Sequence, residues 1–163
     1  AAGVLLYSAM ALGSGSTNRV PLWDKTFLIP VQMLGGLGAG MALSIGFAAI
    51  TEGEVGETMK KYALVSAVLL AGSLLAIAAT VLALDTPGVA NMLEMTWLFI
   101  VGSIVVGLLI PIGLQFAAAF DAVSAKAAAG SLFAAGVLAV VGKLALAMTY
   151  LLAAEFTPLP LPV

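Results

Sequence analysis

One charged side chain interrupts a long apolar run near the C-terminal end of the sequence. This residue is Lys143, in the stretch VVGKL of a segment that is long enough to cross a bilayer. A charge in lipid is costly, so lysines at membrane depth face a bundle interior or a wet cavity. We therefore expect Lys143 to face the protein interior and to take part in proton movement. The alternative is a lysine that reaches the interface or is neutral.

Two further polar side chains are candidates to act with this lysine. Gln32 lies near the start of another apolar run, where it shares a level with Tyr7, and with Lys143 if the lysine side chain is extended. A packing role for Gln32, as an interhelical hydrogen bond, is an equally good interpretation. Gln115 follows Pro111 by one turn, and we expect it to bond a carbonyl that the proline leaves without a donor.

The composition excludes several classes of protein and of site. Hydrophobic residues make up 63% of the 163 residues, charged residues make up 9%, and the mean hydropathy is +1.19, which is not typical of a soluble domain. The net charge is −2, and no basic patch is present to follow a nucleic-acid backbone. The chain has no His and no Cys, so it cannot hold a b-type haem in the usual way, an iron–sulfur cluster or a thiolate zinc site.

The apolar segments predict an all-α, polytopic transmembrane bundle that forms a single domain over residues 1–163. A lipid-embedded backbone must satisfy its own hydrogen bonds, which favours helices over irregular structure. Pro111 should kink its helix. We predict a partial helix at residues 1–13, the tail of a helix whose beginning is missing, and four full spans at about 26–50, 62–84, 92–120 and 127–154.

These spans alternate in direction, which assigns each loop to one of two faces. Residues 14–25, the turn at 85–94 and the C-terminus belong to what we call the first face, and the loops at 51–61 and 121–126 belong to the second face. The second face has slightly more Lys and Arg, which favours a cytoplasmic location for it.

A cluster of glycines at residues 35–40 lies in the middle of the first full span. Such a cluster could cradle a phosphate, but that interpretation requires a strand before it and a loop-to-helix junction, and both are missing from the pattern. Close helix packing is the better explanation. We predict that the cluster faces another helix, and that Gly36 and Gly40 let a neighbouring backbone approach.

The order of several short motifs resembles the C-terminal half of the NrfD/polysulfide-reductase family of integral membrane subunits. In that family a GxLL stretch leads to a Pro-x-Trp turn, then to a span with an early proline and small residues, and later to a Gly-x-x-x-Pro step. The corresponding residues here are Gly3-Val4-Leu5-Leu6, Pro21-Leu22-Trp23, Ile29-Pro30 through Gly35 to Gly40, and Gly107-Leu108-Leu109-Ile110-Pro111. Family members often carry an Arg in the last helix, where this chain has Lys143, and full members have more spans.

The resemblance implies an anchor subunit of a multi-subunit oxidoreductase in the cell membrane. Such a subunit exchanges electrons between menaquinone or ubiquinone and an iron–sulfur subunit, usually with a molybdenum-containing catalytic partner. The clusters and the molybdopterin would belong to those partners, and Lys143, Gln32 and Tyr7 become candidates for the quinone site or the proton path. The alternatives are a transporter or ion-translocating subunit and a purely structural membrane subunit.

Overall fold

The computed structural model describes residues 25–84 and 86–153, and within these ranges it contains helices and no strand. Four helical segments are long and apolar enough to cross a membrane, so the predicted all-α bundle with four spans is confirmed. The predicted partial helix at residues 1–13 lies outside the described residues. The helices are α1 (Lys25–Glu52), α2 (Glu57–Ala83), α3 (Pro87–Glu94), a π helix (Trp97–Leu109), α4 (Ile110–Ala119) and α5 (Ala125–Leu152).

The helix ends coincide with glycine, proline and charged residues. Gly53 follows α1 with a φ of 75°, a left-handed conformation that glycine adopts without strain, and its N–H donates to the carbonyl of Ala49. Pro87 occupies the first turn of α3, where its missing N–H has no intrahelical acceptor to lose. The acidic and basic side chains at these ends leave the interiors of the helices almost free of charge.

The four spans form a closed ring of neighbours. Helix α1 packs against α2 and α5, α5 packs against the π helix and α4, and α4 returns to contact α2. The largest core cluster joins α1, α2, the π helix and α5 through Leu28, Leu70, Phe99 and Leu146. The inward-facing positions of the ring are therefore enclosed on all sides by this one chain.

Glycines set the two closest helix crossings, and both of them involve α5. A Cβ on Gly136 would lie 2.5 Å from the Cα of Leu43 in α1, so the two backbones are already in contact. Six residues later, Gly142 meets Gly107 of the π helix, and a Cβ on either one would overlap the Cα of the other. Small residues allow such close approaches in membrane bundles, where dispersion contacts replace the hydrophobic driving force.

The glycine cluster of α1 does face another helix, but through different glycines from those predicted. Gly35 and Gly38 are buried against α2, where a Cβ on Gly38 would lie 2.9 Å from Cδ2 of Leu70. The prediction for Gly40 was wrong, since Gly40 is exposed with nothing within 4 Å of its Cβ position, and Gly36 is half-buried. The spacing identified small residues correctly but left the angular position of the contact undetermined.

Gly38→Leu and Gly40→Leu should therefore differ in their effect on stability. We expect Gly38→Leu to lower the free energy of unfolding by about 1–3 kcal/mol, because the new side chain must displace α2. Gly40→Leu adds a side chain to open space and should leave the Tm unchanged. The measurement is thermal unfolding of both variants in the same detergent. Equal losses in the two variants would contradict the observed orientation of α1.

The third span differs from the continuous helix predicted over residues 92–120. Met92 belongs to the short helix α3, a break follows at Met95, and the span itself runs from Trp97 to Ala119. Its first 13 residues are π-helical, and the pattern returns to α-helical at Ile110, one residue before Pro111. The proline predicts a local change of hydrogen bonding, but nothing in the apolar sequence before it predicts a π helix of this length.

An ion-pair cluster ties two helical ends together on the second face. The ammonium of Lys60 in α2 lies 3.0 Å from Oε1 of Glu57 and 2.7 Å from Oδ1 of Asp121, which lies in the loop before α5. Both carboxylates are largely exposed, so each pair adds little to stability. The cluster mainly fixes the position of the loop at residues 120–124 relative to α2.

Candidate functional site

Lys143 points into the bundle, as its position in the sequence predicted. Its Nζ donates a hydrogen bond to the carbonyl oxygen of Val31 in α1, with a separation of 3.1 Å. At 1.5 Å per residue the Cα of Lys143 lies about 13 Å from the C-terminal end of α5. The ammonium group is thus held at membrane depth by a backbone carbonyl.

Gly35 makes this hydrogen bond sterically possible. A Cβ at residue 35 would lie 3.1 Å from Nζ of Lys143 and 2.8 Å from Oγ of Ser73. The hydroxyl of Ser73, in α2, also donates to the carbonyl of Val31, at 3.3 Å. Side chains from two helices therefore meet at one carbonyl of a third helix, in a space that only glycine leaves open.

The charge of Lys143 has no acidic partner in the described part of the chain. Ion pairs there involve only Lys60, and no Asp or Glu lies within ion-pair distance of Lys143. An ammonium group carries three donors. Val31 accepts one of them, and no other hydrogen bond from this ammonium to the described residues is found. The site is therefore electropositive and has spare donor capacity.

A small internal cavity lies beside the ammonium group. It has a volume of about 10 Å³, and its lining includes Lys143 and Ser73 together with Ser103 of the π helix. The other lining residues are Gly35, Leu70, Leu108, Ala139, Gly142 and Leu146. This is close to the minimum volume that holds one water molecule, and it is far too small for the ring of a quinone.

The structure adds two serines that reasoning from the sequence did not select as site residues. These are Ser73 of α2 and Ser103 of the π helix. Ser66 and Ser73 are about two turns apart on the buried face of α2, and both donate to carbonyls of α1. That regular spacing is a signal in the sequence for Ser73. Ser103 bonds within its own helix, to the carbonyl of Leu98 at 3.0 Å, and it lines the cavity from the π helix.

The other predicted site residues are not gathered around Lys143 to the same extent. Gln32 follows Val31 directly and is therefore at the predicted level, but it is half-buried, and the hydrogen bond of Lys143 goes to the Val31 carbonyl. Tyr7 lies outside the described residues. The roles of Gln32 and Tyr7 in quinone binding or proton transfer stay predictions.

The expectation for Gln115 was wrong. Its side chain is 1% exposed, and neither its Oε1 nor its Nε2 has a hydrogen-bond partner among the described residues. The backbone before Pro111 is π-helical, with the N–H of Ile110 donating to the carbonyl of Val105, so Pro111 leaves the carbonyl of Val106 without a donor. That carbonyl lies nine residues before Gln115, roughly two helical turns along the axis. A glutamine side chain is too short to span that distance.

A second pocket lies near the second face, at the corner between α1 and α2. Its volume is about 490 Å³, which is within the usual range for small-molecule pockets. The lining combines apolar residues, such as Ile45 and Met59, with Glu52, Glu57 and Tyr62. It lies at the end of the bundle that carries the second face, away from Lys143, and the two pockets share no lining residue, so they do not form one binding site within this chain.

Neither a metal site in the described part of the chain nor a known relative indicates a function for this protein. Among the described residues no group of three or more acidic side chains is arranged to hold a metal ion, and the sequence has no His or Cys to add to one. Comparison of the chain with protein-family models, with curated proteins and with solved structures gives no match. The features that bear on function are therefore the four apolar spans and the inward-facing Lys143.

Proposed function

We propose that this chain is an integral membrane anchor subunit of a multi-subunit oxidoreductase in the cell membrane. In this role it exchanges electrons between membrane quinone and an iron–sulfur partner subunit, with a molybdenum-containing subunit as the catalytic partner. Lys143 carries protons that accompany the quinone reaction. The absence of His and Cys fits this division of labour, because the partners would hold every redox centre except the quinone.

The observation that carries the proton-transfer part is the environment of Lys143. An ammonium at membrane depth normally has an acidic partner or a water-filled cavity. Here it has one backbone carbonyl, a serine that shares this carbonyl, and a cavity of about 10 Å³. An apolar residue of the same length would pack there without the desolvation penalty of an ammonium group. The presence of a lysine at this position therefore favours a group that exchanges protons.

The quinone link is supported by the resemblance to the NrfD/polysulfide-reductase family. The Gly-x-x-x-Pro step of that resemblance, Gly107 to Pro111, forms the end of the π helix and the start of α4, and Gly107 packs on the helix that carries Lys143. The cavity beside Lys143 is too small for a quinone ring. The ring would therefore bind between this chain and a partner, with Lys143 supplying a proton path and not a direct contact.

Purification under native conditions tests the proposed function directly. A tagged form of the chain, extracted in mild detergent from its own membrane, should bring with it the broad visible absorbance of iron–sulfur clusters and a stoichiometric amount of iron. The control is a tagged unrelated multi-pass protein from the same membrane. Recovery of the intact chain without iron would rule out the role as an anchor of an iron–sulfur subunit.

Ion translocation is the second candidate, and the π helix is the observation that favours it. Non-α-helical backbone at membrane depth often lines the binding site of a transporter, and π-helical turns are frequent at functional sites. The π helix here contributes Ser103 and Leu108 to the cavity beside Lys143. A translocating subunit would purify without iron and would move ions when reconstituted alone in vesicles, which separates it from the first candidate.

A further inference from the structure

We propose that the cavity beside Lys143 is a binding site for one ordered water molecule, and that this water links Lys143 to Ser103 of the π helix. The water site itself does not depend on the proposed function. Its use in proton transfer does rest on that function, because it gives the ammonium of Lys143 a hydrogen-bonded connection to a second helix. Ser103 is then a positioning residue that acts through the water.

The size and the lining of the cavity both fit a single water. Its volume of about 10 Å³ matches one water molecule and leaves no room for a larger ligand. Buried waters need at least two polar partners. The lining supplies the ammonium of Lys143 and the hydroxyls of Ser73 and Ser103.

The hydrogen-bonding capacity of these three groups is complementary to that of water. Lys143 uses one of its donors on Val31, so a further N–H can donate to the water oxygen. Both serine hydroxyls use their hydrogen on a backbone carbonyl, Ser73 on Val31 and Ser103 on Leu98, which leaves oxygen lone pairs to accept from the water. The water therefore has one donor and two acceptors around it.

A dry cavity would leave the ammonium group of Lys143 poorly solvated. A buried charge without an ion-pair partner needs several hydrogen bonds to offset its loss of hydration. The carbonyl of Val31 provides one, and no acidic residue in the described chain provides another. A water in this place supplies the missing hydrogen bond.

Filling the cavity tests for the water when the change in Tm is compared between the native protein and a variant that lacks the Lys143 ammonium. Ala139 lines the cavity and is 2% exposed, so Ala139→Val places two methyl groups in or near it. If the cavity binds water, the variant displaces that water and the Tm should fall by at least about 2 °C. If the cavity is dry, the same variant only overpacks it, because two methyl groups exceed the volume of one water molecule, and the resulting fall in Tm does not depend on Lys143.

A double-mutant cycle separates loss of the water from simple overpacking. In a Lys143→Met background the cavity has lost its charged lining group, so the same Ala139→Val change should lower the Tm much less or raise it. A fall of the same size in both backgrounds would mean strain alone and would overturn the proposal. A rise of the Tm in the native background would overturn it equally.

A density map of the purified protein that resolves ordered water provides the independent measurement. We expect one water within hydrogen-bond distance of Nζ of Lys143 and Oγ of Ser103, which weakens or disappears in Ser103→Ala and in Ala139→Val. A map at that resolution without this water would exclude the site. Because neither measurement uses quinone turnover or iron content, failure of the water site and failure of the proposed function are distinguishable.

Discussion

Lys143→Met is expected to slow quinone-linked turnover of the intact complex by about 100-fold, at the lower end of what a positioned proton-transfer group contributes. Methionine keeps most of the length of lysine and removes the group that titrates. The activity of the catalytic partner with a soluble dye should be unchanged, because that reaction bypasses the quinone. The readouts are quinone-linked and dye-linked turnover of the same preparation.

The same variant should lose activity without losing thermal stability. Removing a half-buried charge that has one hydrogen-bond partner among the described residues should leave the Tm unchanged or raise it, since an apolar side chain incurs no desolvation penalty. Loss of activity with an unchanged Tm would therefore assign Lys143 to the mechanism and not to folding.

Lys61→Met is the matched control for this experiment. Lys61 is exposed near the start of α2, on the second face, so the substitution makes the same chemical change at a solvated position. It should affect neither quinone turnover nor stability. Full quinone turnover in a correctly assembled Lys143→Met complex would remove Lys143 from the mechanism.

Gly142→Val is expected to prevent assembly of the bundle or to lower its free energy of unfolding by at least about 3 kcal/mol, the upper end of the usual cost of overpacking. The reason is the contact between Gly142 and Gly107, in which the first side-chain carbon would overlap the partner backbone. Backbone cannot move aside as a flexible side chain can. Helix α5 would have to separate from the π helix, which also opens the cavity beside Lys143.

Gly130→Val in the same helix is the control for this second prediction. Gly130 is exposed and has nothing within 4 Å of its Cβ position, so valine should be accommodated there with little change in stability. The measurements are the yield of monodisperse protein in detergent and its Tm. Similar behaviour of the two variants would show that the crossing at Gly107 and Gly142 is not as close as described.

The sequence by itself determined the class of fold and the position of its most unusual charge. Long apolar runs without charges predict helices in lipid, because no other structure satisfies the backbone there, and the four spans were predicted for that reason. The inward orientation of Lys143 followed from the same physics, since an ammonium facing lipid would be uncompensated. These conclusions depend only on hydropathy and on the cost of burying polar groups.

Only the tertiary structure decided which residues meet. In a helix that is apolar on every side, hydropathy does not indicate which face is buried. The structure shows that Gly35 and Gly38 make the contact while Gly40 faces outward. The meeting of Ser73 and Lys143 at the Val31 carbonyl depends on the relative depth of three helices. Ser103 lies in the π helix, where backbone hydrogen bonds span five residues and not four. Its placement depends on this π-helical register. Such contacts depend on how the spans pack against one another, and the sequence of a single span does not specify that packing.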